Sequence, residues 1–303
     1  MVSRHCHHDP DGSAELKNLV ATGVAIALLL AGCDARVQDD SGGYPPARRI
    51  VALSPHLTEL VYTAGAGERL VGVVEYSDFP PPALALPRIG DSFRLDYEAL
   101  AELEPDLILA WRSGTPAGVQ QRLRVMGFRV VALDAEKLDE IAVQLNEIGR
   151  LAGTSETASL ASAEYLRRLR KLRERFAGAA AVGVFYQVSA QPLFTIGGRH
   201  VISESIETCG GRNVFEDIEG LSPAVSLESV IDEAPDAIVA GHDGVSDDGR
   251  AQLIKQWARW SSIPAVRNGD LYIVDANRMH RSTVRILEAL EELCGHLALA
   301  RSR

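Results

Sequence analysis

The chain has 303 residues, 46% of them hydrophobic, and a formal net charge of −10. That length supports two lobes with a core each, and the acidic balance excludes a nucleic-acid binder, which would present a basic face. No nucleophile elbow, Walker loop, HExxH or CxxC occurs, and the glycines of "GAGERLVG" and "TIGGRH" lack the strand–GxGxxG–helix setting of a dinucleotide site. The pattern therefore points away from an enzyme, and no metal site or cofactor is expected.

The first element is an apolar run, "LVATGVAIALLLAGC" (Leu19–Cys33), that follows Lys17 and is short for a bilayer span. It reads as a secretory signal, and its end, Leu30-Ala31-Gly32-Cys33, resembles a bacterial lipoprotein box. The resemblance implies a signal peptide over 1–32, lipidation of Cys33 and a membrane tether; the alternative is an ordinary cleaved signal with Cys33 left free. Asp34 fits retention at the inner membrane. With Cys6 lost in the signal, Cys209 and Cys294 are left to pair in an oxidising compartment, the alternative being two buried free thiols.

"DDSGGYPPARR" (Asp39–Arg49) reads as a Gly/Pro linker, so 33–47 is assigned to the tether. "RIVALS" is a buried strand, followed by a helix over "SPHLTELVYTAGAG", with Ser54 as N-cap, Pro55 in the first turn and Gly65 as stop. "RLVGVVEY", "DLILAW" and "RVVALD" are further strands, alternating with helical segments such as "GVQQRLRVM". Continuous apolar strands alternating with helices predict a parallel sheet covered on both faces. "SETASLASAEYLRRLRKLRERF" (Ser155–Phe176) has no glycine or proline and predicts one long helix, with Leu160, Tyr165, Leu169, Leu172 and Phe176 as its apolar face. A second α/β set follows in "AVGVFYQV", "VISESIETCGG", "DAIVAGH" and "LYIVD", closed by a helix from about Ser282.

One unit is written twice: "YEALAELEPDLILA" (Tyr97–Ala110) returns as "LESVIDEAPDAIVA" (Leu227–Ala240), an offset of 130 residues. The repeat places Asp96 and Ser226 as N-caps and Glu98 and Glu228 in the first turns of matched helices. An acid there complements the helix dipole by about 0.3–1 kcal/mol, which accounts for each glutamate singly but not for the pair. The expected fold is α/β: two Rossmann-like lobes, 48–152 and 179–303, joined by one long backbone helix, 153–178, with a ligand cleft between the lobes.

Across the mature chain the motifs "RIVALSPHLTEL", "VGVVEYSDFPP", "LEPDLILAWRSG", "VFYQVSAQPLFTIGG", "ETCGGRNVF" and "RILEALEELCGHL" resemble the periplasmic cobalamin-binding proteins of ABC importers, within the helical-backbone class of solute-binding proteins. The resemblance implies a monomeric binding protein that captures cobalamin or another corrinoid and delivers it to a permease dimer. It implies ligand contacts from Tyr76, Phe93 and Trp111 in the first lobe and from Phe194, Asn277 and Arg281 in the second. It also implies that Glu98 and Glu228 dock onto the two permease subunits. Ser222 stands where the family pattern has a tryptophan, which thins one wall of the cleft. Haem, with His56, His200, His242 or His280 as an axial ligand, and a ferric siderophore held by Arg94, Arg112, Arg199, Arg278 and Arg281, are the alternative cargoes.

Overall fold

A computed structural model describes residues 44–91 and 94–303. Phe93, Cys33 and the signal segment lie outside the described residues. In chain order the first lobe holds β1 (Ile50–Ala52), α1 (Pro55–Thr63), β2 (Leu70–Val73), α2 (Tyr97–Glu102), β3 (Leu107–Trp111), α3 (Ala117–Val125), β4 (Val130–Leu133) and α4 (Leu138–Ala152). Helix α5 (Ser155–Phe176) leads out of it. The second lobe holds β5 (Val182–Gln187), a small antiparallel pair β6 (Ser189–Ala190) and β7 (Leu193–Phe194), then α6 (Val201–Thr208), β8 (Gly211–Asn213) and α7 (Leu227–Glu233). It ends with β9 (Ala237–His242), α8 (Asp247–Trp257), α9 (Pro264–Asn268), β10 (Leu271–Asp275), α10 (Ala276–Met279) and α11 (Ile286–Arg301).

Each lobe is built on a four-stranded parallel sheet, in the orders β2-β1-β3-β4 and β10-β9-β5-β8. Counted within each lobe, both follow one scheme: the first strand lies between the second and the third, with the fourth outside. Most strands are short and apolar because both sheet faces are covered; β1 is fully buried on both sides, whereas the edge strand β8 carries Arg212 and Asn213. The final helix starts at Ile286, four residues later than the sequence suggests, since Ser282–Arg285 form a polar turn around the Thr283 hydroxyl. Helices α4 and α8, which the sequence reading leaves unassigned, cover sheet faces in their respective lobes. The Glu140 carboxylate reaches back to the Lys137 N–H at 3.1 Å to cap the start of α4.

Helix α5 spans the residues expected of it, but its buried face is shifted. Ala158, Ser162, Tyr165, Leu169 and Leu172 point inward, whereas Leu160 is 68% exposed. Two residues beyond Ala158, Leu160 sits about 200° round the helix from the packed stripe. The Tyr165 hydroxyl donates to the Leu138 carbonyl at 2.9 Å, tying α5 to α4.

The largest hydrophobic cluster is common to both lobes. It runs from Ile50, Leu57 and Leu109 through Leu145, Ile148, Tyr165 and Leu169 to Val184, Ile206 and Leu290. Separate clusters fill the outer face of each sheet, so the lobes share one core as well as one helix. Within the second lobe Cys209 and Cys294 form a disulfide, with Cα atoms 4.7 Å apart, that fastens the end of α6 to α11. Among the described residues no helix is long and apolar enough to cross a membrane.

Candidate functional site

In open parallel sheets ligands collect beyond the carboxyl ends of the strands. Here the segments that follow the strands of the two lobes meet across a seam. At one end of it the loop after β2 touches the turn after β10, through Arg281, Tyr76 and Asp78. At the other end a hollow of about 420 Å³ is lined from the first lobe by Ser113, Asp134 and Glu136 and from the second by Arg199, Glu216 and the 217–221 loop. The seam is thus pinned where β2 faces β10 and open where β4 faces β8.

Tyr76 sits in the turn after β2 with φ +64°, a left-handed conformation that costs a non-glycine residue about 1–2 kcal/mol. Its ring is 79% exposed. A large aromatic held out of the core by a strained turn is an unpartnered apolar face. Trp111 ends β3 half-buried, and its indole N–H donates to Asp134 Oδ1 at 3.0 Å while the Ser113 hydroxyl donates to the same oxygen at 3.1 Å. The His56 ring meets Trp111 edge-on at 5.3 Å. Gly114 is required there: a Cβ at that position would stand 1.8 Å from Trp111 Cε3, so any side chain would displace the indole. Trp111 is therefore held to Asp134, a residue that lines the open hollow.

Phe194 lies half-buried in β7, bridged to Ala224. The Ser222 hydroxyl donates to the Thr195 carbonyl at 3.2 Å, so the position without an aromatic lies beside Phe194 on the strip leading to Leu221 at the hollow. Asn277 begins α10, where its backbone N–H donates to Asp275 Oδ1, and its side-chain oxygen accepts from Arg281 Nη2 at 3.0 Å.

Arg281 differs most from expectation. Instead of extending toward a ligand, its guanidinium is engaged across the seam. Nη1 donates to Glu59 Oε1 at 2.9 Å and to Asp78 Oδ1 at 2.6 Å, and Nη2 donates to the Tyr76 carbonyl at 3.2 Å. The Thr283 hydroxyl donates to Glu59 Oε2 at 3.1 Å and Arg285 Nη1 to Glu59 Oε1 at 3.3 Å. Arg285 also stacks over Phe79 at 3.8 Å. The Glu59 side chain is only 3% exposed. Its burial raises its pKa, while Arg281, Arg285 and Thr283 pull the other way. For the more open Asp78, burial also pulls upward, but the hydrogen bond and charge of Arg281 outweigh it and the net shift is down. The structure thus brings together Tyr76, Asn277 and Arg281, and ties Trp111 to Asp134 at the hollow, while Phe194 pairs with Ala224 in the second lobe. Glu59 was missed by sequence reading, because its partner Arg281 is 222 residues away.

The histidines are engaged within the protein. His56 Nδ1 shares a hydrogen bond with the Ser54 hydroxyl at 2.5 Å, His200 Nδ1 accepts from the Ile202 N–H, and His280 Nε2 meets the Tyr186 hydroxyl at 2.9 Å. His242 Nδ1 faces the Gly244 carbonyl at 3.0 Å. Burial, reinforced by the Arg281 charge, lowers the His56 pKa to about 3, and burial with the neighbouring His280 lowers that of His200 to about 4. Of the arginines, Arg199 pairs with Glu136 at 2.8 Å and Arg278 with Asp275 and Glu288. Among the described residues no cluster of metal-ligating side chains is present.

The repeated helices match closely. Asp96 accepts from the Glu98 and Ala99 N–H groups, and Ser226 from the Ser229 N–H, capping α2 and α7. Glu98 and Glu228 are both exposed. Among the described residues neither enters an ion pair with another side chain.

Two parallel-sheet lobes on a helical spine with a seam between them define a two-lobed solute-binding protein. The chain belongs to the periplasmic binding protein family, whose sequence pattern matches residues 50–277. The vitamin B12-binding protein of Vibrio cholerae serotype O1 is 35% identical over 259 residues, covering 85% of this chain and 92% of that protein. The crystal structure of the periplasmic vitamin B12-binding protein BtuF of Vibrio cholerae superposes with a TM-score of 0.79, covering 85% of this chain and 99% of that one. A periplasmic haem-binding protein of Pseudomonas aeruginosa superposes at 0.72 with 25% identity, covering 82% of this chain and 92% of that one.

Proposed function

We propose that this protein captures cobalamin, or a closely related corrinoid, between its lobes and hands it to the permease of an ABC importer. The observation that carries the reading is Tyr76: a 79% exposed ring on a strained turn at the seam, in a chain 35% identical to a vitamin B12-binding protein across both lobes. A corrin is a broad, mostly apolar plate with amide arms. It is gripped by flat aromatic surfaces and scattered hydrogen bonds rather than by a charged pocket. Tyr76, Trp111 and Phe194 supply the surfaces, Asn277 and Arg281 the polar groups beside them, and the ligand contact expected of Phe93 falls on a residue outside those the structure describes. Haem is a poorer cargo for this seam, because the haem-binding relative is only 25% identical to this chain where the vitamin B12-binding protein is 35% identical.

The test is a titration of the protein with cyanocobalamin, haemin and a ferric siderophore in parallel, read by calorimetry and absorbance. Saturable corrinoid binding without a haem Soret shift is the expected result; haem or siderophore binding in its place overturns the reading.

Glu98 and Glu228 are assigned to docking. A permease of two like subunits offers one basic pocket per subunit, and a binding protein with two like lobes offers one carboxylate to each. Such charge pairing sets orientation and encounter rate more than affinity. Replacing both by alanine leaves corrinoid affinity unchanged and weakens permease association; the reverse pattern sinks the assignment. Cys33 is assigned as the lipidated residue that tethers a monomeric protein on the periplasmic side of the inner membrane, tested by loss of fatty-acid labelling in Cys33→Ala.

A further inference from the structure

The ion-paired cluster at the pinned end of the seam gives Arg281 a role besides the ligand contact assigned to it. We propose that Arg281 and Glu59 are positioning residues. They form a clamp that holds the two lobes at a fixed spacing where β2 faces β10, and they act on the ligand through Tyr76.

Several observations converge on this assignment. Arg281 comes from the second lobe, and three of its acceptors, Glu59 Oε1, Asp78 Oδ1 and the Tyr76 carbonyl, belong to the first. Both ends of the central pair are sheltered, with side-chain exposures of 11% for Arg281 and 3% for Glu59. Water therefore competes little for the pair, and the second oxygen of Glu59 must find a donor within the protein. Thr283 donates to that oxygen, and Arg285 adds a further donor to Oε1, both again from the second lobe. A carboxylate of α1 is thus enclosed by three side chains of the turn before α11. Planar guanidinium forks impose geometry as well as attraction, so the arrangement fixes spacing and angle together. One arm of the same guanidinium holds the backbone of Tyr76, the residue whose left-handed turn carries the exposed ring. Clamp and ring are mechanically one unit.

If the clamp only preorganises the site, ligand affinity falls by the fraction of molecules in the clamped state. The test uses the full-length chain, with Glu59→Gln, Arg281→Lys and the double variant. Cyanocobalamin titration is read beside amide hydrogen exchange of the ligand-free protein over residues 74–79 and 280–285. Glu59 is too buried to touch a ligand, so its variant separates the two roles of Arg281. The expected result is a loss of affinity of about tenfold in each single variant, corresponding to a clamped fraction near one tenth. The double variant loses less than the sum of the two singles, because both remove the shared Glu59–Arg281 bond. Exchange in both segments quickens in all three, while the exchange of α3 amides is unchanged.

If Glu59→Gln leaves both affinity and exchange at wild-type values, the clamp is refuted and Arg281 reverts to a plain contact. An additive double variant refutes it equally. The inference rests on the proposed ligand only for the titration. Should the wild-type protein not bind cyanocobalamin, the exchange measurement on ligand-free protein still decides for or against the clamp, so the two failures stay distinct.

Discussion

The first and second lobes use the same strand scheme and the same capped helix with a glutamate in its first turn, yet they differ in almost everything that borders the seam. The first lobe presents Tyr76 on a left-handed turn and Trp111 against Gly114. The second presents a two-stranded hairpin carrying Phe194, and an arginine that reaches across to its neighbour. Only the second is fastened by a disulfide. The repeated glutamates are both exposed, whereas the parts that do not repeat border the seam. The likeness of the lobes lies in the scaffold and their difference along the seam.

The comparison can be broken or sharpened by experiment. The largest effect expected is on the second lobe alone. Removing the Cys209–Cys294 bridge, which spans 85 residues, lowers stability by about 4.6 kcal/mol in the chain-entropy model, measured by denaturant unfolding under non-reducing conditions. Because the two lobes share a core, that loss appears as an earlier single transition and not as a separate melting of one half. On the spine, Leu169→Ala costs about 3 kcal/mol as a buried large-to-small change, whereas Leu160→Ala, on the exposed face, leaves the midpoint nearly unmoved.

A smaller effect follows from the histidines. His56 in the first lobe and His200 in the second are held neutral in the folded state, with pKa lowered from 6.5 to about 3 and about 4. Between those values and 6.5 the unfolded chain takes up a proton that the folded one refuses. Stability is therefore full above pH 6.5 and declines on acidification, by about 1.4 kcal/mol per pH unit for a buried histidine such as His56. His56→Gln flattens that slope in a stability–pH series. The smallest effects are the matched caps: Asp96→Ala and Ser226→Ala each cost about 1 kcal/mol, and similar losses from both are what the repeat requires.

Much of the fold was legible in the residues. Uninterrupted apolar strands, alternating helices and a 22-residue stretch without glycine or proline lead to two lobes on a rod, because these patterns are local. The apolar face of α5 was misjudged at Leu160, since hydrophobic identity does not say which stripe of a helix meets a neighbour. Helices α4 and α8 were overlooked because charged residues interrupt their apolar positions; α4 nonetheless packs along α5 in the shared core. Near the seam, the place of Trp111 at the end of a strand and of Tyr76 in the turn after one were readable from the polar residues that follow them. The engagement of Arg281 was not, for Glu59 looks like one more polar residue of an amphipathic helix until the fold carries it to the far end of the chain.

The common core has a bearing on release. A continuous apolar body running through both halves penalises any wide parting, since roughly 25 cal/mol accompanies each Å² of hydrocarbon newly wetted. Cargo would then leave through a small wrench applied from outside rather than a spontaneous yawn. If the docking proposed for Glu98 and Glu228 holds, the work of delivery falls on the permease.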